Sequence, residues 1–307
     1  MKTRIIASAI LLPIFFAALF VFPPYVLTLI ISLISAIAAY ELMHAVKSAK
    51  SKTTLVFTII AATIVPIAIY FNILYISTFS SQHLSYDSLI PLNLYISTFN
   101  LQLFTFNSLV PLLIIFFILM SLLLIEFFLT FKSEKQLKLR QIPIALAAGI
   151  LIPYMLSSFI SLKTMPYGHL FVLFPIISAF LTDSGAYFIG VAIGKRKAFP
   201  KISPNKTIEG CIGGLITGTA GIVLYGVILN AATPLNISYP FLIVCGIICA
   251  AVTELGDLTF SFIKRKCEIK DYGQLIPGHG GMLDRFDSMI LTAPAMYLLI
   301  ILLPLIN

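Results

Sequence analysis

The chain reads PFLIVCGIICAAVTELGDLTFSF from Pro240 to Phe262, and this stretch decides the fold. A helix needs about 20 mainly apolar residues to cross the hydrocarbon core of a bilayer, and the run supplies them. Its charged groups, Glu254 and Asp257, sit in the second half, toward an end where a spanning helix nears water. Acids in apolar surroundings are costly to keep. The stretch therefore marks a membrane helix and, at one end of it, a place where polar chemistry is wanted.

Working outward, the same length rule gives eight further spans. They run roughly Ile5 to Phe22, Tyr25 to Val46, Thr54 to Phe71, Leu109 to Phe131, Ile142 to Leu162, Leu170 to Ile193, Cys211 to Ala231 and Ser288 to Ile306. The expected fold is an all-α, polytopic integral membrane protein of about nine transmembrane helices. Apolar runs recur from end to end without a long hydrophilic block, so residues 1–307 are read as a single membrane domain. Its N-terminal helices occupy 1–168, and the helices and loops richer in polar groups occupy 169–307. Composition agrees: 59% of the residues are hydrophobic and 10% charged, and mean hydropathy is +1.04. Soluble domains carry about 25% charged residues, so a soluble class is excluded.

The net charge of +8 invites a nucleic-acid partner, but the basic residues lie between the spans and not in one patch. With the N-terminus cytoplasmic, 19 of the 20 lysines and arginines fall in inside segments and only Lys163 falls outside. By the positive-inside rule the N-terminus is cytoplasmic and the C-terminus outside. The expected location is the cell (cytoplasmic, inner) membrane, with multiple passes and no nucleic acid. Met1 to Phe22 has the basic start and apolar run of a signal peptide but no small-residue cleavage site before Pro23, and is read as a retained helix. Cys211, Cys245, Cys249 and Cys267 form no metal-binding spacing and are read as reduced packing residues. The expected outside segment from about Asn72 to Ser108 repeats LYISTF at Leu74 to Phe79 and Leu94 to Phe99, a duplication to which no chemistry is assigned.

Seven of the twelve acids cluster near expected inside boundaries: Asp183, Glu209, Glu254, Asp257, Asp271, Asp284 and Asp287. Glu254, Asp257, Ser261 and Lys264 follow at intervals of three, four and three, which places them within about 80° of one helix face. Asp257 offers oxygen to a divalent cation and Lys264 a point charge to a phosphate. The same lysine, with Arg265, serves equally as a snorkelling helix end.

From Ser261 to Asp287 the chain continues SFIKRKCEIKDYGQLIPGHGGMLDRFD. Pro277, Gly278, His279, Gly280 and Gly281 make a turn whose amides can approach a phosphate closely, and Leu283 onward can start the last helix. Asp284 and Asp287 then share a face at that helix's start. His279 also fits a plain turn or cap. Upstream, TDSGAYFIG places Asp183, Tyr187, Gly190 and Gly194 on one face, and the next loop carries Ser203 to Gly210. Gly190 with Gly194, and Gly210 with Gly214 and Gly218, also read as helix-packing sets, and Ser203 to Glu209 as a helix cap.

The spaced pattern Ser261, Lys264, Arg265, Lys270, Asp271, Pro277, His279, Gly280, Gly281, Asp284, Arg285 and Asp287 closely resembles the signature of the phosphatidate cytidylyltransferases. The resemblance is dense from Thr182 to Asp287 and rests on hydropathy alone in the first half. It departs at Phe260, where many relatives carry an acid, and at Ile208, where they carry a Trp. What it implies is cytidylyl transfer from CTP to phosphatidate at the cytoplasmic face of the membrane, with Mg²⁺, room for a second monovalent cation such as K⁺, and a homodimer. On these positions Asp257, Asp284 and Lys264 are expected to be catalytic. Asp257, Asp284, Asp287 and Asp183 are the expected metal ligands. Ser203, Lys206, Thr207, Ser261, Lys270, His279, Gly280, Gly281 and Arg285 are the expected substrate contacts. Two other readings stay open: the same chemistry on another lipid phosphate, and an ion-coupled transporter, which would be expected to place its acids near the midplane in matched halves.

Overall fold

The computed structural model describes residues 16–46, 52–83, 106–129, 141–275 and 280–303, together with Pro13. Within them seven helical spans are long and apolar enough to cross a membrane: Pro24–Ala45, Lys52–Ser77, Ile142–Thr164, Gly168–Ile193, Ile208–Ala232, Tyr239–Lys266 and Leu283–Leu302. The apolar stretch Pro111–Glu126 of a further helix falls where the fourth span is expected. Of the first expected span, residues 16–20 are helical and most of the rest lies outside the described residues. The protein is an all-α polytopic membrane protein. Helices dominate because hydrocarbon offers no partners to backbone amides and carbonyls, so each spanning segment must satisfy them internally.

The chain divides into two compact units that interleave in sequence. The first draws on Met1–Ile90, Thr98–Thr164 and Ile269–Arg285. Its helices are α1 (Pro24–Ala45), α2 (Lys52–His83) and α3 (Phe106–Leu129), followed by a broken span of α4 (Ile142–Leu146), a π-helical turn (Ala147–Leu151), α5 (Ile152–Leu156) and α6 (Ser158–Thr164). Pro24 at the first turn of α1 gives up an amide that would be unpaired anyway. Buried Thr54 on α2 donates to Glu126 Oε2 of α3 at 2.7 Å, and Lys163 Nζ of α6 donates to the carbonyls of Ala18 and Leu19.

Two expectations on boundaries are corrected here. Helix α2 does not stop at Phe71 but runs to His83, so the first LYISTF copy is helical. Leu74, Tyr75 and Ile76 extend the apolar run and no proline follows Pro66 before Pro91, so nothing breaks the helix. The expected span from Ile142 is not one smooth helix: Pro143 and Pro153 each remove an amide, and the ladder slips into the π turn between them. The second LYISTF copy lies outside the described residues.

The second unit draws on Pro91–Ser97, Met165–Glu268 and Phe286–Asn307. It holds α7 (Gly168–Phe171), α8 (Leu173–Ile193), the antiparallel strands β1 (Lys197–Phe199) and β2 (Ser203–Thr207), α9 (Ile208–Ala232) and α10 (Tyr239–Lys266). The last helix, α11 (Leu283–Leu302), gives its first turn to the first unit and the rest to the second. Helices α8 and α9 meet along small residues: a Cβ on Gly214 would lie 2.8 Å from Thr182 O, so only glycine allows this approach. Away from that seam α9 exposes Ile212, Ile216 and Leu224, an apolar face of the kind lipid covers. Four free cysteines agree with their reading as unpaired thiols.

Candidate functional site

In the second unit, the polar face expected on α10 forms as the spacing requires. Asp257 and Ser261 lie one turn apart, and the Ser261 hydroxyl points at Asp257 Oδ1 from 3.4 Å, a long contact. The other oxygen of Asp257 receives the ammonium of Lys206, with Nζ 2.7 Å from Oδ2. Lys206 reaches it from β2, the strand of a hairpin that an all-helical reading does not contain. Burial opposes the charge on Lys206, but the carboxylates of Asp257, Glu254 and Asp183 outweigh it and hold the amine above its ordinary value. This lysine therefore stays a cation throughout the physiological range.

Asp183 of α8 lies within electrostatic reach of Asp257, Lys206 and Glu254, and the Ser288 hydroxyl donates to its carboxylate. From α11, Asp287 sits 3.8 Å from the ammonium of Lys264, the last of the four residues on the α10 face. Helices α10 and α11 can come this close because position 256 is glycine: a Cβ there would meet Asp287 O at 2.9 Å and Ser288 O at 3.1 Å. Thr253 and Thr292 share a buried 2.8 Å hydrogen bond farther along the same seam. Glu254 turns toward Cys211 of α9, and its Oε1 is buried without a hydrogen-bond partner among the described residues. Three helices and one strand thus bring Asp183, Lys206, Asp257, Lys264 and Asp287 together.

The loop after α8 is ordered by its own polar groups. Glu209 accepts the amides of Lys195 and Arg196 at 3.1 and 3.2 Å. Thr207 caps α9, accepting the amide of Gly210 at 3.1 Å. Arg265 Nε donates to Ile202 O at 3.2 Å. The cap and the packing glycines are therefore present as the residues suggest, Gly190, Gly194 and Gly210 closing around the Thr207 hydroxyl. Ser203 stands at the start of β2.

In the first unit Tyr272 and the backbone from Gly281 to Leu283 are gathered around two carboxylates. Asp284, 9% exposed, accepts the amides of Tyr272 at 2.8 Å and Gly281 at 3.0 Å through Oδ2. Gly280 takes φ +85°, a left-handed conformation that an L side chain rarely adopts. Lys270 and Arg285 are exposed. Pro277, Gly278 and His279 lie outside the described residues. The second carboxylate is one that reading the motif misses: Glu41 of α1, 4% exposed, accepts the amides of Met282 at 2.9 Å and Leu283 at 2.8 Å. Its signal is an acid inside an apolar span, the same cost that singles out Asp257. It stands in the half of the chain where the motif gives no guide.

As a metal site the donor chemistry suits Mg²⁺, a hard cation that prefers oxygen. Among the described residues no three acid, histidine or cysteine side chains are gathered closely enough to enclose an ion.

Fold and site together define a polytopic helical membrane protein with a cluster of carboxylates and lysines drawn from α8, β2, α10 and α11. The chain belongs to the cytidylyltransferase family, whose model matches residues 2–303. Among similar proteins, phosphatidate cytidylyltransferase of Bacillus subtilis is 38% identical over 156 residues, 50% of this chain and 56% of that one. Its namesake in Staphylococcus saprophyticus is 40% identical over 139 residues, 45% of this chain and 52% of its own. That of Haemophilus influenzae is 45% identical over 130 residues, 42% of this chain and 45% of its own. The chain thus spans about half the length of the curated relatives it matches.

Proposed function

We propose that this chain transfers a cytidylyl group from CTP to phosphatidate, giving CDP-diacylglycerol and pyrophosphate. The observation that carries the reading is the meeting of Asp183, Lys206, Asp257, Lys264 and Asp287 in one half-buried cluster. The names of the similar proteins supply the substrates.

The chemistry asks for little acid–base work. The nucleophile is a phosphate monoester oxygen, ionised near neutral pH because its second pKa is about 6. It forms a bond to the α-phosphorus of CTP while the bond from that phosphorus to the bridging oxygen breaks, and pyrophosphate leaves with the electron pair. The barrier lies in holding two polyanions in line and in neutralising the leaving group. Lys264 and Lys206 supply fixed positive charge, with Lys264 assigned a direct phosphate contact. Asp257, Asp183, Asp287 and Asp284 are assigned to cation binding. These carboxylates would hold Mg²⁺, whose charge would draw electron density from the phosphate oxygens. A second, monovalent cation such as K⁺ belongs to the same proposal. Ser203, Thr207, Ser261, Lys270, His279, Gly280, Gly281 and Arg285 are assigned to the nucleotide or the lipid headgroup.

Further parts of the proposal are an N-terminus inside and C-terminus outside, residence in the cell's cytoplasmic membrane, and a homodimer. The sorting of 19 of 20 basic residues supports the orientation. The test is to purify the protein in detergent, add phosphatidate, CTP and Mg²⁺, and measure pyrophosphate and CDP-lipid together. Equal yields of the two are expected; absence of both sinks the reading.

A further inference from the structure

We infer that Glu41 is a positioning residue: from near the C-terminal end of α1 it fixes Gly281 to Leu283, the segment that opens α11. Four observations carry this, all within the first unit. The carboxylate is buried, at 4% exposure, in an apolar span where an ionisable group is costly unless it does something. Both of its oxygens are used, Oε1 by the amide of Met282 and Oε2 by that of Leu283. Those amides belong to the residues that open α11, where a helix leaves its first donors unpaired. Lastly, room has been left for it: a Cβ on Gly273 would fall 2.5 Å from Oε1, and one on Gly281 2.5 Å from Oε2.

The geometry divides the work between two acids. Asp284 ties Tyr272 and Gly281 together from inside the turn. Glu41 ties Met282 and Leu283 to a helix 241 residues away in sequence. With both in place the amides of Tyr272, Gly281, Met282 and Leu283 are all held. A phosphate approaching Gly280 then meets a backbone already held in one shape, and such preorganisation is the condition for strong stabilisation of developing charge. A carboxylate that consumed these amides without aiming the rest would be a cap only. The two glycines facing Glu41 indicate that the turn is shaped to its carboxylate.

This inference rests on the cytidylyl-transfer reading for its kinetic arm and is independent of it for its structural arm. Glu41→Gln, Glu41→Ala and wild type are compared as full chains in detergent. Hydrogen exchange is read on the peptide covering residues 280–285, together with melting temperature and with kcat and KM for CTP. Expected are faster exchange confined to that peptide and a fall in kcat/KM for CTP of about 10–100-fold in Glu41→Ala, as a misplacement of about 1 Å produces. Glu41→Gln keeps one acceptor oxygen and should fall between the two. Wild-type exchange in Glu41→Ala overturns the inference. So does a lowered melting temperature with kcat and KM per folded molecule unchanged, because that is a purely structural role. If Glu41→Ala does not fold, Glu41→Gln carries the same readings. A wild type that makes no CDP-lipid ends the functional reading, while the exchange arm still judges Glu41.

Discussion

Lys206 Nζ lies 2.7 Å from Asp257 Oδ2, pairing the hairpin strand β2 with the polar face of α10. The side chains are 17% and 26% exposed, so the pair sits between a surface ion pair and a buried one. Removing one partner leaves the other charge partly stripped of water. Lys206→Met should therefore destabilise the protein by roughly 1–3 kcal/mol, between the exposed and fully buried limits. Asp257→Asn should cost a similar amount. The double variant should cost less than the sum, because each single change already breaks the pair. Additive losses in melting temperature contradict the pairing.

The same lysine fixes a pH dependence. Desolvation pulls its value down, but Asp257, Glu254 and Asp183 raise it further, and the net shift is upward from 10.5. A raised value means that the ammonium form stabilises the fold fully below the ordinary lysine value and loses that effect as pH rises through the shifted one. The penalty of Lys206→Met should thus not fall as pH rises from about 6 to 9. A penalty that fades within this window, read as the difference in melting temperature at several pH values, contradicts a charged Lys206.

Asp284 has two kinds of work assigned to it, and two substitutions separate them. Asp284→Ala orphans the amides of Tyr272 and Gly281, each a buried donor whose loss costs about 1–3 kcal/mol. Asp284→Asn keeps an acceptor and most of the shape while removing the charge. Asp284→Asn should thus keep a melting temperature near that of wild type and lose at least about 100-fold in turnover, as removal of a charge-stabilising group does. Near-wild-type turnover in Asp284→Asn, or in Asp257→Asn, removes the cation-binding assignment. An unaltered rate after Lys264→Ala removes its phosphate contact.

Gly256 permits α11 to lie against α10 where Asp287 faces Lys264. Gly256→Ala places a Cβ 2.9 Å from Asp287 O, and overpacking of this kind costs about 1–3 kcal/mol. Gly246→Ala makes an equally tight contact, 2.9 Å from Thr219 Cα, but about 15 Å along α10. Both should lower the melting temperature, and only Gly256→Ala should lower turnover per folded molecule. Equal turnover in the two variants argues that the seam does not govern the site.

What sequence spacing reveals and what it hides follow from the range of the interactions. The face shared by Asp257, Ser261 and Lys264 is a property of one helix, so intervals of three and four suffice to find it. Helix spans follow from the demand of lipid on the backbone, which is local too. The hairpin of β1 and β2 is not local: strands of three and five residues have no periodicity to speak of, and Lys206 reaches Asp257 only because they pair. The continuation of α2 to His83 turns on the absence of a breaker, which a hydropathy boundary at Phe71 does not register. Glu41 and the amides it accepts are 241 and 242 residues apart, beyond any spacing rule.

That long-range contact gives the last prediction. Gly273 faces Glu41 so closely that a Cβ would fall 2.5 Å from Oε1 and 3.0 Å from Cδ. Gly273→Ala must push either the turn or the carboxylate aside, and misfitting methyls in packed sites cost about 1–3 kcal/mol. In a Glu41→Ala background the obstacle is gone, so the alanine at 273 should cost much less than it does alone. The coupling between neighbours of this kind is about 0.5–3 kcal/mol. A double-mutant cycle in melting temperature, run beside exchange over residues 280–285, reads it directly. Strict additivity of Gly273→Ala and Glu41→Ala means that the two groups do not touch, and that the turn owes its shape to Asp284 alone.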